Sequence, residues 1–274
     1  KESGRWKVAR PDAATVPDEW WMLFNDPVLN DLQKQVVLGN ENIKAAAAQY
    51  QVARAALGNS RRGLLPSVGA SAGASRSAPG NGGSPSNSFS AGLNASWELD
   101  LWGRVAGGVS AAEARAQASA DDLASARLST QALLTQTYLS LRAAEAQAAL
   151  LARSVAAYQR SLELTQNRYG AGVASAADVA QAQTQLKSTQ AQLVEANSSR
   201  AQLEHAIATL LGKPASAVSV VRTAALPATP GIPVQLPAQL LERRPDIAAA
   251  ERRVAAANAQ IGVAQTAFFP AITP

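Results

Sequence analysis

Cysteine is absent from this 274-residue chain, and histidine occurs once, at His205. The first absence excludes disulfides, Cys-ligated metal and thiol chemistry. The second leaves His205 no partner His or Cys with which to share a metal, and its place between the expected core positions Leu203 and Ile207 reads as solvated. Aromatic residues make up only 5% of the chain while Ala fills long stretches, which suits close-packed helices with thin side chains better than a bulky globular core. No run of 18 or more uninterrupted apolar residues occurs, so no transmembrane helix is encoded; a β-barrel span is a separate matter. No stretch with a basic start, an apolar middle and a small-residue cleavage site opens the chain, so it reads as a processed or trimmed form. Blocks of like charge are also missing. The net charge is +5, but Arg61-Arg62, Arg243-Arg244 and Arg252-Arg253 are isolated pairs without aromatic interleaving, so no nucleic-acid partner is expected. Asp121 and Asp122 point apart on a helix, and no Gly-rich phosphate loop follows a strand. No enzymatic activity, cofactor or metal is therefore expected.

What is present is periodicity. Residues 1–26 form an irregular arm with Pro11, Pro17 and the pair Trp20-Trp21. In the first helical segment, residues 27–64, Asp26 is placed to cap a helix that starts at Pro27, and Val28, Leu29, Leu32, Val36 and Val37 recur at helical spacing. After Gly39-Asn40 a second helix carries Ile43, Ala46, Tyr50, Ala53 and Leu57 on one side. At Pro66 the period drops to two: Val68, Ala70, Ala72 and Ala74 alternate with Ser and Gly. Beyond the turn-rich residues 76–88, Phe89, Ala91, Leu93, Ala95, Trp97, Leu99 and Leu101 alternate with polar residues, completing a hairpin over 65–102 with one oily and one polar face. A soluble sandwich hairpin shows the same alternation. Strands of about ten residues, a long polar loop and Trp97 and Trp102 near one end favour a transmembrane β-barrel strand pair with an aromatic girdle.

Residues 103–212 predict a long helical hairpin. No proline interrupts the chain from Arg104 to Tyr169, enough for a rod about 100 Å long. Leu134, Thr137, Leu141, Ala144, Ala148, Leu151, Val155, Tyr158, Leu162, Thr165 and Tyr169 step by three and four, a 3.5-residue period that implies left-handed supercoiling against a partner. Gly170 and Gly172 permit the reversal and Ser175 can cap the return helix. On that helix Val179, Ala182, Leu186, Thr189, Leu193, Ala196, Leu203, Ile207 and Leu210 repeat the spacing, with Arg200 the one charged intruder. A Pro-rich linker, 213–235, leads to residues 236–274, and a shift of 204 then aligns Ile43 with Ile247, Gly58 with Gly262 and Pro66 with Pro270 without a gap. The chain thus contains one unit and the start of a second.

The segments WELDLWGR (97–104), RYGAGV (168–173), LLGKP (210–214) and RRPDI (243–247) resemble the signature segments of the TolC/OprM superfamily, in the same order, and most resemble its branch serving RND-type drug pumps. The resemblance implies a mainly α fold with a β-hairpin: long antiparallel coiled-coil helices plus two transmembrane β-barrel strands, one repeat of a TolC-like protomer. It further implies a Gram-negative outer-membrane efflux channel with its helical portion in the periplasm, homotrimeric when full length and passive in multidrug export. Its partners would be a periplasmic adaptor (membrane fusion protein), an inner-membrane RND-type transporter and outer-membrane lipid. Many members of that branch are lipoproteins anchored through an N-terminal Cys. The rival reading is a periplasmic coiled-coil adaptor or scaffold without a channel.

By the same resemblance the tip formed by Arg168, Tyr169, Gly170, Gly172, Val173 and Asp178 is where an adaptor hairpin docks; on spacing alone it is a plain interhelical turn. Trp97 and Trp102 are expected as interface anchors. Asn94, Ser96, Glu98 and Asp100 are expected to face the lumen, with the alternative that Glu98 and Asp100 cap or salt-bridge the following helix.

Overall fold

The computed structural model describes residues 19–77, 84–223, 225–227, 231 and 243–272. Most of the N-terminal arm, the centre of the hairpin loop and the helical piece expected from Leu236 lie outside them. The chain divides into two compact units, one comprising residues 47–123 and 244–272, the other residues 19–46 and 124–243.

In the second unit, Trp20–Phe24 is a 3₁₀ turn leading into helix α1, Pro27–Gly39. The Asp26 carboxylate caps α1 as expected, accepting from the amides of Val28 (2.9 Å) and Leu29 (3.1 Å). Asn40 ends α1 and opens helix α2, Glu41–Arg62: its side-chain oxygen accepts from the amides of Asn42 and Ile43. Helix α3, Arg104–Gly170, runs 67 residues without a break, and α4, Ala176–Leu210, returns along it. Helices α2 and α3 contribute residues to both units.

The expected α4 seam is real, since every position named for it is at least half-buried and Leu186, Thr189, Ala196 and Ile207 are fully so. On α3 the seam holds from Leu134 through Val155, but Tyr158 and Tyr169 are exposed. The core of this unit joins Trp21, Leu29, Leu32 and Val36 to Leu134, Tyr138 and Leu141 of α3 and to Ile207 and Leu211. Where α1 and α4 end, their backbones touch. Gly212 has φ +66°, and a β-carbon there would drive into the Gly39 carbonyl, while one on Gly39 would strike the Leu211 carbonyl. Asn40 Nδ2 donates to the Leu210 carbonyl (2.8 Å), tying the same crossing. His205 is exposed, as its isolation suggested.

In the first unit, strands β1 (Ser67–Ser77) and β2 (Ser86–Ser96) pair antiparallel. Strand β2 stops at Ser96, five residues short of where the alternation runs; residues 97–103 instead turn the chain into α3. Helix α5, Pro245–Gln265, coincides with α2 to within one residue under the 204-residue shift, since Glu41 and Arg62 map to 245 and 266. The two helices nevertheless bury different faces. Positions 43, 46, 50, 53 and 57 are covered on α2, whereas beyond the first turn of α5, where Ile247 is half-buried and its counterpart Ile43 buried, the covered positions are 249, 252, 256, 259 and 263. After the shift the second set falls two residues further along, about 200° around the helix. Val254 and Ile261, the counterparts of the covered Tyr50 and Leu57, are therefore exposed.

Candidate functional site

The hairpin's register brings its apolar residues together. Val68 opposes Ala95, Ala70 opposes Leu93, Ala72 opposes Ala91 and Ala74 opposes Phe89, while Ser67, Gly69, Ser71, Gly73 and Ser75 oppose Ser96, Asn94, Gly92, Ser90 and Ser88. One face is therefore apolar from Val68 to Ala74, with Arg76 opposite Asn87 the charged and polar pair at its loop end, and the other is polar, because side chains alternate along a strand and opposed residues share a side. Neither face is covered: Val68, Phe89 and Leu93 are 74%, 80% and 83% exposed. Asn94 and Ser96 lie on the polar face, where Ser96 Oγ meets Ser67 Oγ at 2.8 Å.

At the base of the hairpin the contacts of Glu98 and Asp100 are those of the second alternative. Asp100 caps α3, accepting from the amides of Val105 (2.9 Å) and Ala106 (2.7 Å), and the two oxygens of Glu98 accept from Nε and Nη2 along one edge of the Arg104 guanidinium. Both carboxylates thus turn the chain from strand to helix, with Gly103 at φ +74° between them and α3. The two tryptophans spend their N–H groups on backbone carbonyls. Trp97 Nε1 donates to Leu64 (3.3 Å), just before Pro66, and Trp102 Nε1 donates to Pro270 (2.9 Å), the counterpart of Pro66, while its ring stacks on Phe269 at 4.7 Å. The Leu99 amide donates to the Ile272 carbonyl (3.2 Å), so the segment after β2 makes a backbone bond with the residue that the 204-residue shift equates with Val68 of β1.

At the far end of the helical hairpin, Arg168, Tyr169, Gly170, Gly172, Val173 and Asp178 are all exposed. Only one of the two glycines is needed for the reversal. Gly172 is left-handed, with φ +73°, and closes a Schellman motif in which Val173 N donates to Arg168 O and Gly172 N to Tyr169 O, both at 2.9 Å. Gly170 is simply the last residue of α3. Asp178 is committed to a capping box: it accepts from the backbone and hydroxyl of Ser175, and its own amide donates back to Ser175 Oγ. The Ser175 amide above all, then the Ser175 hydroxyl and the Arg168 charge, hold the Asp178 carboxyl below the usual carboxylate range. The outward-facing chemistry at this tip is accordingly Arg168, Tyr169 and Val173, with Asp178 turned to internal work.

The charge on the α4 seam has an explanation that the spacing did not supply. Arg200 is buried, with Nε donating to Glu145 of α3 (2.9 Å), Nη1 to Glu204 (2.7 Å) and Nη2 to the Val220 carbonyl (2.8 Å). Glu145 also accepts from Arg142 (2.7 Å) and from the Thr223 amide (3.1 Å), and Glu204 accepts from the Val220 amide (2.8 Å). Arg142 in turn reaches the Val221 carbonyl (2.8 Å) and the Tyr138 hydroxyl (2.9 Å), which donates to Asp26. Burial first, then the bond to Asp26, push the Tyr138 hydroxyl up to about 12, so it stays protonated and donating. An unbroken chain of bonds runs from the α1 cap through α3 and α4 to residues 220–223. The legible signal was Arg200 itself, because a cation in a seam slot requires buried carboxylates beside it.

A model of the family described as outer membrane efflux protein matches residues 32–213 and 236–273. The chain belongs to that family. The second match begins at the residue that the 204-residue shift assigns to position 32. Among curated relatives, the pyoverdine export outer membrane protein OpmQ of Pseudomonas aeruginosa is 33% identical over 278 residues, covering 97% of this chain and 58% of its own length. The toluene efflux pump outer membrane protein TtgF of Pseudomonas putida is 34% identical, covering 93% of this chain and 54% of its own. Among solved structures, the outer-membrane channel OprN superposes with a TM-score of 0.81 at 34% identity, covering 96% of this chain and 60% of its own. The open state of the Neisseria gonorrhoeae MtrE channel superposes with a TM-score of 0.77 at 33% identity, covering 90% and 56%. The chain therefore spans just over half the length of these relatives. The fold expected from the sequence, long antiparallel helices bearing one β-hairpin, is the fold of this family.

Proposed function

We propose that the protein is the outer-membrane exit duct of a tripartite efflux system, carrying small molecules passively from an inner-membrane RND-type pump and a periplasmic adaptor to the exterior. The observation that carries this reading is the hairpin. Strands of 11 residues are about 36 Å long, and at a tilt of about 40° they cross about 28 Å, the depth of a bilayer's hydrocarbon core. A two-stranded sheet with an uncovered oily face and unpaired edges is stable in lipid only as part of a closed barrel. Trimerisation of a two-repeat protomer supplies the remaining strands. The Leu99–Ile272 bond supports strand pairing between repeats, and the exposed Val254 and Ile261 on α5 support a further long helix covering the face that α2 already buries.

In this reading the apolar face meets lipid, Asn94 and Ser96 face the lumen, and Glu98 and Asp100 line its lower rim while turning the chain into α3. Trp97 and Trp102 anchor the rim at the membrane interface. The adaptor engages the tip through Arg168, Tyr169 and Val173, beside Gly170 at the end of α3 and around the reversal set by Gly172 and the Asp178 cap. The test is complementation of a strain deleted for its own duct by the protein at its natural length. Restored resistance to pump substrates and recovery as a trimer from detergent-extracted outer membranes are expected. Quantitative recovery in the soluble fraction without detergent, with no restored export, would overturn the assignment.

A further inference from the structure

A hairpin of two long helices needs its register specified, and the apolar seam here specifies it weakly. The seam residues of α4 are small or medium and recur every three or four positions, so a slide of α3 past α4 by one turn, about 5.4 Å, exchanges one such contact for another. Arg200 breaks that degeneracy. It occupies the seam slot between Ala196 and Leu203, is only 6% exposed, and is satisfied by one carboxylate on α3, one on its own helix and one connector carbonyl. After a one-turn slide Glu145 would be out of reach of Arg200, and each of these buried groups would lose its cross-helix bond and keep only its same-helix partner, Arg142 or Glu204.

We propose that the buried relay Arg142–Glu145–Arg200–Glu204 is a register latch, which fixes the axial position of α3 against α4 and straps residues 220–223 across both helices. The strap is held on both of its backbone functions: carbonyls 220 and 221 accept from Arg200 and Arg142, while amides 220 and 223 donate to Glu204 and Glu145. These connector residues are not paired in a sheet, so the four charged side chains supply the hydrogen bonds that a ladder would otherwise give. The latch supplies uniqueness more than stability, because well-packed apolar residues can replace a buried ion cluster with little loss. A bundle held this way moves at its base only as one body with the connector. This inference goes beyond the duct reading, and its readouts are local to the helical hairpin, so export can fail while the latch holds, and the reverse.

The test uses the protein at its natural length. Spin labels at Arg153→Cys and Gln192→Cys, both exposed positions in a 274-residue stretch that holds no cysteine, report the α3–α4 distance in spin-diluted samples of a protein in which any cysteine outside that stretch is replaced by serine. The apolar variant Arg142→Met, Glu145→Leu, Arg200→Met, Glu204→Leu is expected to retain its melting temperature within a few degrees. Its distance distribution should broaden or gain a second population displaced by about one helical turn. A single, narrow and unshifted distribution would overturn the proposal. Should that variant fail to assemble, Glu204→Gln decides: amide exchange across residues 218–223 is expected to quicken at least about 10-fold, as one hydrogen bond to a charged group is weakened. Exchange unchanged from the parent protein would equally overturn the latch.

Discussion

Gly172 and Gly212 form a natural experiment on close backbone approach. Each is the left-handed residue of a Schellman motif at the end of a long helix, with φ +73° and +66°. A β-carbon at Gly172 meets nothing within 4 Å, whereas one at Gly212 lands on the Gly39 carbonyl, a backbone atom that cannot rotate aside. Alanine at either position incurs the left-handed penalty of about 1–2 kcal/mol. At Gly212 the forced separation of the α1 and α4 ends adds about 1–3 kcal/mol. That increment corresponds to about 5- to 150-fold in the opening equilibrium. Amide exchange by mass spectrometry, on peptides spanning residues 27–40 and 205–215, is the assay. Gly212→Ala should speed exchange in both peptides, and Gly172→Ala in neither. Gly39 gives the opposite sign of control, since it lies in a helix where alanine ordinarily gains about 1 kcal/mol. Gly39→Ala should nonetheless destabilise. If Gly212→Ala matches Gly172→Ala within about twofold, or Gly39→Ala stabilises, the close-approach argument fails.

Asp26→Ala should cost about 0.5–2 kcal/mol from the lost α1 cap, and more from stranding the Tyr138 hydroxyl, whereas Asp26→Asn keeps most of both; thermal melts of the two variants compare them. Asp100→Ala should fray the start of α3 by about 0.5–2 kcal/mol, seen as faster exchange at Val105 and Ala106 with the tip unaffected. At the tip, the Asp178 carboxyl is depressed, so its capping contribution is whole above about pH 4, the unfolded value, and is lost as pH falls through the lower folded value. A spin label at Val173→Cys should gain mobility on acidification, and Asp178→Asn should remove that pH dependence. Burial alone would raise Glu204, but the Val220 amide and Arg200 more than offset it and leave the carboxyl lowered. The connector should therefore loosen only below the same acid range, read by a spin label at Val221→Cys.

Helix and strand existence were legible because they are set by neighbours a few residues apart. The Asp26 cap, the Ser175 cap, the α4 seam, the face of α2 and the hairpin's oily side all follow from spacing within one element, and the structure keeps them. The 204-residue shift was legible because a repeat preserves order, and α2 and α5 coincide under it. Strand β2 was read too long because alternation persists past Ser96, while the backbone there is claimed by Asp100 and Glu98 turning into α3.

What only the tertiary structure decided are partnerships across long separations. Arg200 was visible as an intruder, but its partners Glu145 and Val220 lie 55 and 20 residues away, and Tyr138 is 112 residues from Asp26. Gly39 stood at a break between two helices and Gly212 at the end of the helical hairpin, and only their contact shows that Gly39 makes room for the Leu211 carbonyl and Gly212 for the Gly39 carbonyl. The equivalent helices α2 and α5 bury different faces beyond their first turn, because burial is fixed by which helix lies alongside, and that choice is made by the assembled fold rather than by position in the repeat.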